Sequence, residues 1–467
     1  MVNPVNIDPD QSSLLQPLHL LKEHPQLLQA NRIVIGFSGG MDSTVLLHLL
    51  CSLRNSVALF PEIHVVHINH GLQISAVAWE IHCLSVCELL QVPLKILPVH
   101  VNLLGNESPE ESARSARYAA FVGILRRGDL LLLAQHQDDQ VETVLFRLIR
   151  GSGCKGLAGM PVQRACGEGQ LLRPILYHTR TNLFEYASRN NLQWIEDKSN
   201  LDQHYDRNFL RQNIIPTLRI RWPGLAENII RTALLCDEAD TLLEELAAQD
   251  LTDATGPYRN RLQISLLTSL SKSRQRNLIR YWIATLQLEM GCATPGYKSL
   301  YRIVDEVIPA TKDADPQVYW GKELARIGLR RYQGFLYLLK PLPVPPAEML
   351  WETSKSLQLP FPLGSLHIVA ALPGNSPTTD FPPATLRVCF RRGGELIQLT
   401  NRPTRLLKKI LQEKSVPPWL RELIPLLYSG NKLIAVADLF MCDNNTRPTT
   451  ENGWHIEWRR SELHCGY

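Results

Sequence analysis

Between Asn31 and Asn213 short apolar runs alternate with amphipathic ones, and this alternation restricts the chain more than any other feature. The apolar runs are RIVIGF from Arg32, IHVVHI from Ile63, LKILPV from Leu94 and DLLLLA from Asp129. Helical periodicity starts near Asp42, Ile74 and Pro109, and again at Asp138. That order predicts an α/β domain whose parallel sheet is covered on both faces. Ligands bind beyond the carboxyl ends of such strands. The polar junctions SGGMDS from Ser38, HINHGL from His67 and AQHQDDQ from Ala134 all fall there. They are expected to converge in space.

A helix N-terminus carries unsatisfied N–H groups and the positive end of the helix dipole, and a glycine pair before it lets amides close around an anion. Ser38, Gly39, Gly40, Met41, Asp42 and Ser43 therefore suit phosphate oxygens. The plainer alternative is a tight turn in which Asp42 is an N-cap. No Lys precedes Ser43, so the stretch is not the GxxxxGK[ST] loop of γ-phosphate transfer. In the third junction Asp138 and Asp139 open a helix, with Glu142 one turn on. They either bind Mg2+ through water and orient a substrate amine, or offset the dipole. SPEESARSARYAAF from Ser108 puts Arg114 and Arg117 at i,i+3, as a solvated face or a phosphate clamp. DKSNLDQHYDRNFLR from Asp197 gathers acids with Arg207 and Asn208. His67 and His70 stand at a strand end, where packing is the commoner role.

The remaining composition excludes several classes. Ten cysteines without regular spacing fit reduced thiols rather than a disulfide framework, and Cys83 with Cys87 lacks the companions of a metal site. The first residues lack the basic flank and apolar core of a secretory signal, and no run reaches membrane-spanning length, so a soluble, cytoplasmic protein with no membrane partner is expected. A net charge of +4 does not itself announce nucleic acid, but between Arg387 and Lys414 eight Lys/Arg face two Glu. Domains are expected at 1–216 (catalytic), 217–341 (helical), 342–384 (a Pro-rich linker region around a short β element) and 385–467 (basic, α+β).

SGGMDS resembles the SGGxDS pyrophosphate loop of the N-type ATP pyrophosphatases, the PP-loop proteins. Within that group HINHGL, EESARSARY, HQDDQVET, RGSG…GLAGM, RPI and DKSN…YDRNFLR, in this order, look like the tRNA(Ile)-lysidine synthase family. The stretch from FRRGGELIQL to LIAVADL is similar to that family's C-terminal domain. The resemblance covers most of the chain from Arg32 and is weakest from Asp250 to Pro377. It implies an adenine nucleotide alpha hydrolase-like domain, then a helical domain and a small α+β domain. It also implies a ligase that joins free L-lysine to C2 of the wobble cytidine of tRNA(Ile) with a CAU anticodon. ATP activates the base as an adenylated cytidine with Mg2+ present, AMP and pyrophosphate leave, and the tRNA changes from methionine to isoleucine identity.

Carried onto this chain, Ser38 to Ser43 would hold pyrophosphate, Asp42 and Asp139 would hold Mg2+, and Asp138 and Asp139 would receive the lysine amine. Arg114, Arg117, Arg207 and Asn208 would meet phosphate; His136, Arg391, Arg392, Lys408 and Lys409 are candidate tRNA contacts. Oligomeric state is open, a homodimer included. Two places depart from the family: Gln73 stands where many relatives have Arg, and QRACGEGQ from Gln163 reads as an insertion in a surface loop. The rival readings are a PP-loop tRNA thiolase, which wants paired reactive cysteines where only Cys154 is near, and a non-catalytic tRNA-binding protein.

Overall fold

The computed structural model describes residues 15–70, 76–100, 109–197, 202, 205–254, 259–287, 291, 293–311, 314, 316–321, 326–341, 344, 347–370, 383–399, 403–442 and 454–460. Ile74, Gln73, Ser108 and part of HINHGL lie outside them. The chain forms two compact units, Met1–Leu242 and Leu243–Tyr467, divided within one long helix.

In the first unit the elements run α1 (Pro17–Glu23), β1 (Arg32–Gly36), α2 (Met41–Ser56), β2 (Glu62–Asn69), α3 (Ala76–Leu89), β3 (Leu94–Pro98), α4 (Pro109–Ile124), β4 (Asp129–Leu132), α5 (Gln137–Ile149) and α6 (Cys154–Leu157). They continue as β5 (Gln163–Cys166), β6 (Gly169–Leu172), α7 (Arg180–Arg189), α8 (Asp206–Phe209), α9 (Ile215–Arg221) and α10 (Leu225–Ala254). The four expected strands are β1 to β4. The sheet order is β3-β2-β1-β4-β6-β5, parallel throughout except for β5 against β6. From β1 the chain builds outward through β2 and β3, then returns to place β4 on the other side of β1. That reversal makes a crevice at the carboxyl ends of β1 and β4.

Successive strand residues face opposite sides, and both sides are covered. Ile33 and Ile35 pack with Leu46, Leu50 and Leu132 on one face, while Val34 packs with Val66, Phe121 and Leu131 on the other. The leucines of α2 decide how that helix is held. Leu46, Leu47, Leu49, Leu50 and Leu53 are all 0% exposed, each contributing about 1.5–3 kcal/mol of burial. No side chain caps the helix, so packing anchors it and leaves its first amides available.

The structure corrects the reading of QRACGEGQ as a surface loop. Gln163–Cys166 and Gly169–Leu172 form a hairpin, and Leu171 and Leu172 extend the main sheet by pairing with β4. Both leucines are fully buried, which fixes the hairpin's register.

The second unit combines helices with antiparallel sheets. Helices Lys272–Thr285 and Tyr297–Arg302 pack on a four-stranded sheet ordered Arg261–Gln263, Phe335–Leu339, Ile327–Tyr332, Gln317–Trp320. Helical periodicity does not announce that sheet. Further on, Met349–Glu352 joins Thr385–Phe390, Pro425–Ser429, Lys432–Val436 and Phe440–Met441 in a five-stranded sheet. Ser365–Ala370 pairs with Leu357–Gln358 and Trp454–Arg459 in a smaller one. No helix among the described residues is long and apolar enough to cross a membrane.

The crossing of β1 with α4 is tight enough to test. A Cβ on Gly36 would lie 2.6 Å from Leu133 Cδ2 and 2.9 Å from Phe121 Cζ. Gly36→Ala should therefore lower stability by about 1–3 kcal/mol in urea unfolding, with an unchanged m-value. A neutral substitution would contradict the packing described here.

Candidate active site

The loop after β1 is held from several directions. Ser43 Oγ lies 3.0 Å from Ser38 Oγ, accepts from the Ser38 amide and donates to the Gly40 carbonyl. Trp79 on α3 donates its indole N–H to the Ser38 carbonyl at 2.6 Å, and Ile195 donates its amide to the Gly39 carbonyl at 3.0 Å. Gly39 has φ 78°, and a Cβ there would meet Trp79 and Cys83 at about 3 Å, so only glycine fits both the backbone and the space. Asp42 is not the cap of α2. Gly40 takes the N-cap position, and the buried Oδ1 of Asp42 has no hydrogen-bond partner among the described residues.

The loop after β4 supplies the facing wall. His136 caps α5: Asp139 Oδ2 accepts its amide at 3.1 Å, and its Nδ1 accepts the Asp138 amide at 3.3 Å. Its Nε2 lies 3.6 Å from Asp42 Oδ2 and 3.5 Å from Asp139 Oδ2, and its Nδ1 lies 3.6 Å from Asp138 Oδ2. Three carboxylates from two junctions thus meet one imidazole. Burial alone would lower its pKa, but Asp139, then Asp138 and Asp42, raise it to about 10. The amide contact at Nδ1 uses a ring lone pair, while the three carboxylates around the ring favour its protonated form. At 3% exposure, with both nitrogens close to protein partners, His136 organises this wall and also lines the cavity beside it.

The acids that follow are neutralised by arginines far along the chain. Arg211 grips Glu142 with Nε to Oε1 at 2.5 Å and Nη2 to Oε2 at 2.9 Å, and its Nη2 also reaches Asp139 Oδ1 at 3.0 Å. Glu142 is 1% exposed; burial raises its pKa, and Arg211 opposes the rise without cancelling it. Asp138 receives Arg219 at 2.6 Å and the Arg180 amide at the start of α7 at 3.0 Å. Burial would raise its pKa, but His136, Arg219 and Arg180 hold it well below the usual carboxylate range. Asp138 and Asp139 therefore do stabilise helix ends and ion pairs, the plainer of their two readings, while still lining the crevice.

A cavity of about 760 Å3 opens here, walled by Met41, Asp138, Glu142, Arg211, Phe184 and Trp194 among others. A smaller one of about 320 Å3, at the amino ends of the strands, contains none of the expected residues. Arg114 and Arg207 act electrostatically on Arg147, and Arg207 on Glu142, so both approach this end of the sheet. Arg117 acts instead on His70, and Asn208 donates to the Asp202 carbonyl. His67 spends its ring on the Phe37 carbonyl at 2.9 Å, a packing role. In the second unit Arg391 pairs with Glu395 at 3.3 Å, Arg392 is exposed, and Lys408 and Lys409 are exposed on helix Leu407–Glu413. Among the described residues no group of three or more His, Cys, Asp or Glu forms a metal cage.

The residues that sequence reasoning missed are Arg211, Arg219, Arg173 and Trp79. Arg211 closes the stretch DKSNLDQHYDRNFLR, one turn beyond Arg207, and the one-turn π-helix Leu210–Ile214 around it is a feature common at functional sites. Burial pushes Cys51 up to about 11 and Cys83 and Cys87 up to about 12, the opposite of a reactive thiolate.

Asp138 makes a pH test. Its folded pKa is depressed, so the stability it supplies is present above the unfolded value near 3.9 and is lost as pH falls toward the folded value. Asp138→Asn should cost about 1–3 kcal/mol near pH 7 in urea unfolding, and the gap from wild type should narrow as pH drops to about 3. A gap independent of pH would contradict the ion pairing.

The chain is also similar to known proteins. Residues 11–218 match the model of a PP-loop domain, 262–337 that of a TilS substrate binding domain, and 386–458 that of a TilS substrate C-terminal domain. A tRNA(Ile)-lysidine synthase of Yersinia pseudotuberculosis is 40% identical over 95% of this chain and 98% of its own. Those of Pseudomonas fluorescens (97% and 98% covered) and Coxiella burnetii (94% and 96%) are each 39% identical. A solved U34-tRNA thiolase from Methanococcus maripaludis aligns at 18% identity and TM-score 0.38, covering 47% of this chain and 78% of that one. With relatives this similar over nearly their whole length, and a PP-loop whose acids face a second acidic junction, the chain belongs to the tRNA(Ile)-lysidine synthase family.

Proposed function

We propose that the chain ligates free L-lysine to C2 of the wobble cytidine in tRNA(Ile) bearing a CAU anticodon, at the expense of ATP. The observation that carries this reading is the meeting of the SGGMDS loop with the Asp138–Asp139 helix start across the β1/β4 crevice. Phosphate and amine are brought to one place. The cytosine C2 oxygen is a poor leaving group, so it first attacks the α-phosphorus of ATP and pyrophosphate departs. The ε-amine then forms the C2–N bond, the C2–O bond breaks, and AMP leaves with the original base oxygen.

The first-turn amides of α2, with Ser38 and Ser43, bind the pyrophosphate. Asp42 fits Mg2+ through its unpartnered Oδ1, and Asp139 would join it by exchanging one of its protein hydrogen bonds; phosphate and water would complete the coordination. When bound, the ion would offset phosphate charge. Lysine's amine is protonated near neutrality and must lose a proton before attack. Asp138 and Asp139, at the start of α5, are the carboxylates placed to receive that amine. Asp138 and Asp139 then supply negative charge that draws the ammonium in, and Arg114 and Arg207 supply positive charge toward phosphate. In the second unit Arg391, Arg392, Lys408 and Lys409 offer tRNA backbone contacts, in a cytoplasmic enzyme that a homodimer would accommodate.

The test is incorporation of labelled lysine into unmodified tRNA(Ile) with ATP and Mg2+, counted after mild alkali strips aminoacyl esters. Label should survive, require ATP, and fall by at least about a hundredfold in Asp42→Ala. Pyrophosphate release with no surviving label would leave base adenylation standing and make lysine the wrong nucleophile.

A further inference from the structure

The hairpin of β5 and β6 does more than extend the sheet. It brings Arg164 over the ring of Tyr118 on α4, with the guanidinium carbon 5.0 Å from the ring centroid. Arg114, one turn earlier on α4, lies 5.1 Å from the same centroid and donates to the phenol oxygen at 3.5 Å. Arg173, just after β6, donates to that oxygen at 3.3 Å. Three guanidinium groups thus surround one phenol.

Their charges are unmatched. Arg173 is 2% exposed, yet its other donors end on neutral oxygens, Gln135 Oε1 at 2.8 Å and the Pro161 carbonyl at 2.7 Å. Arg147 on α5 behaves likewise, donating to the Gly156 and Gly159 carbonyls. Among the described residues no carboxylate lies within ion-pair distance of Arg114, Arg164 or Arg173, whereas Arg211 and Arg219 both end on acids. Carbonyls and a phenol satisfy N–H groups without cancelling charge, and partly buried like charges repel strongly. The phenol is polarised by this field: burial would raise its pKa, but Arg114, Arg173 and Arg164 lower it. Gln135 ties the cluster to the site, since it immediately precedes His136.

We propose that Arg114 and Arg164, on either side of Tyr118, form a seat for a phosphate group, with buried Arg173 adding positive charge from behind the ring. Its two sources here are a phosphodiester of the anticodon loop beside the reacting cytidine and the polyphosphate of ATP. The names of those ligands rest on the lysine ligase reading; the seat itself rests on the uncompensated charge.

Arg164 is exposed on an edge strand, so Arg164→Gln and Arg164→Glu should fold, and Tyr118→Phe removes the shared oxygen without changing a formal charge. In the full chain, binding of an unmodified tRNA(Ile) transcript is measured across salt, and binding of a non-hydrolysable ATP analogue without RNA. If the phosphate is the tRNA's, Arg164→Gln weakens RNA binding about three- to tenfold, reduces the salt slope by about one, and leaves the analogue unaffected; Tyr118→Phe weakens it less. If it is ATP's, the loss falls on the analogue. Arg164→Glu changing neither by more than about twofold would overturn the seat. Neither assay contains lysine, so failure of wild type to incorporate lysine would count against the ligase reading alone.

Discussion

The site depends on one buried histidine. Asp42, Asp138 and Asp139 would repel one another at this range, and the His136 ring lies within 3.6 Å of all three, where positive charge on it is favoured. Because His136 also caps α5, the charge balance and the helix start are the same piece of structure. Arg211 and Arg219 carry the neutralisation outward, binding Glu142, Asp139 and Asp138 from the segment after α7. The result is a set of acids fixed in position before any substrate arrives, which is what charge-stabilised catalysis requires.

The fold prepares this arrangement cheaply. Parallel strands buried on both faces need continuous apolar runs, and the polar residues are left to the strand ends. Reversal of strand order between β1 and β4 then brings two strand ends to one crevice from positions about a hundred residues apart in the chain. Loop geometry completes it. The positive φ at Gly39 and the indole of Trp79 leave the α2 amides facing outward, and five fully buried leucines hold the helix behind them.

Much of this was legible in the sequence, and for a physical reason. Strand and helix periodicity are local, so RIVIGF, IHVVHI, LKILPV and DLLLLA fall on β1 to β4, and helix starts near Asp42, Pro109 and Asp138 fall within a residue of α2, α4 and α5. What was missed depends on contacts between distant segments. Arg211 meets Glu142 across 69 residues and Arg219 meets Asp138 across 81, and no spacing rule reports such pairs. The cap that His136 makes on α5 is equally hidden, because its ring looks the same in sequence whether or not it caps a helix. The β5–β6 hairpin was hidden because a short polar segment around Gly167 reads as a loop until its partner strand β4 is known.

In the proposed reaction ATP activates the C2 oxygen of an RNA base, and that oxygen can be followed. The measurement is mass analysis of AMP released when tRNA(Ile) carrying 18O at C2 of the wobble cytidine reacts with lysine and ATP. Activation at the base predicts one 18O in AMP for each lysine incorporated. Unlabelled AMP alongside modified tRNA would contradict the account, because the base oxygen would then have left by another route.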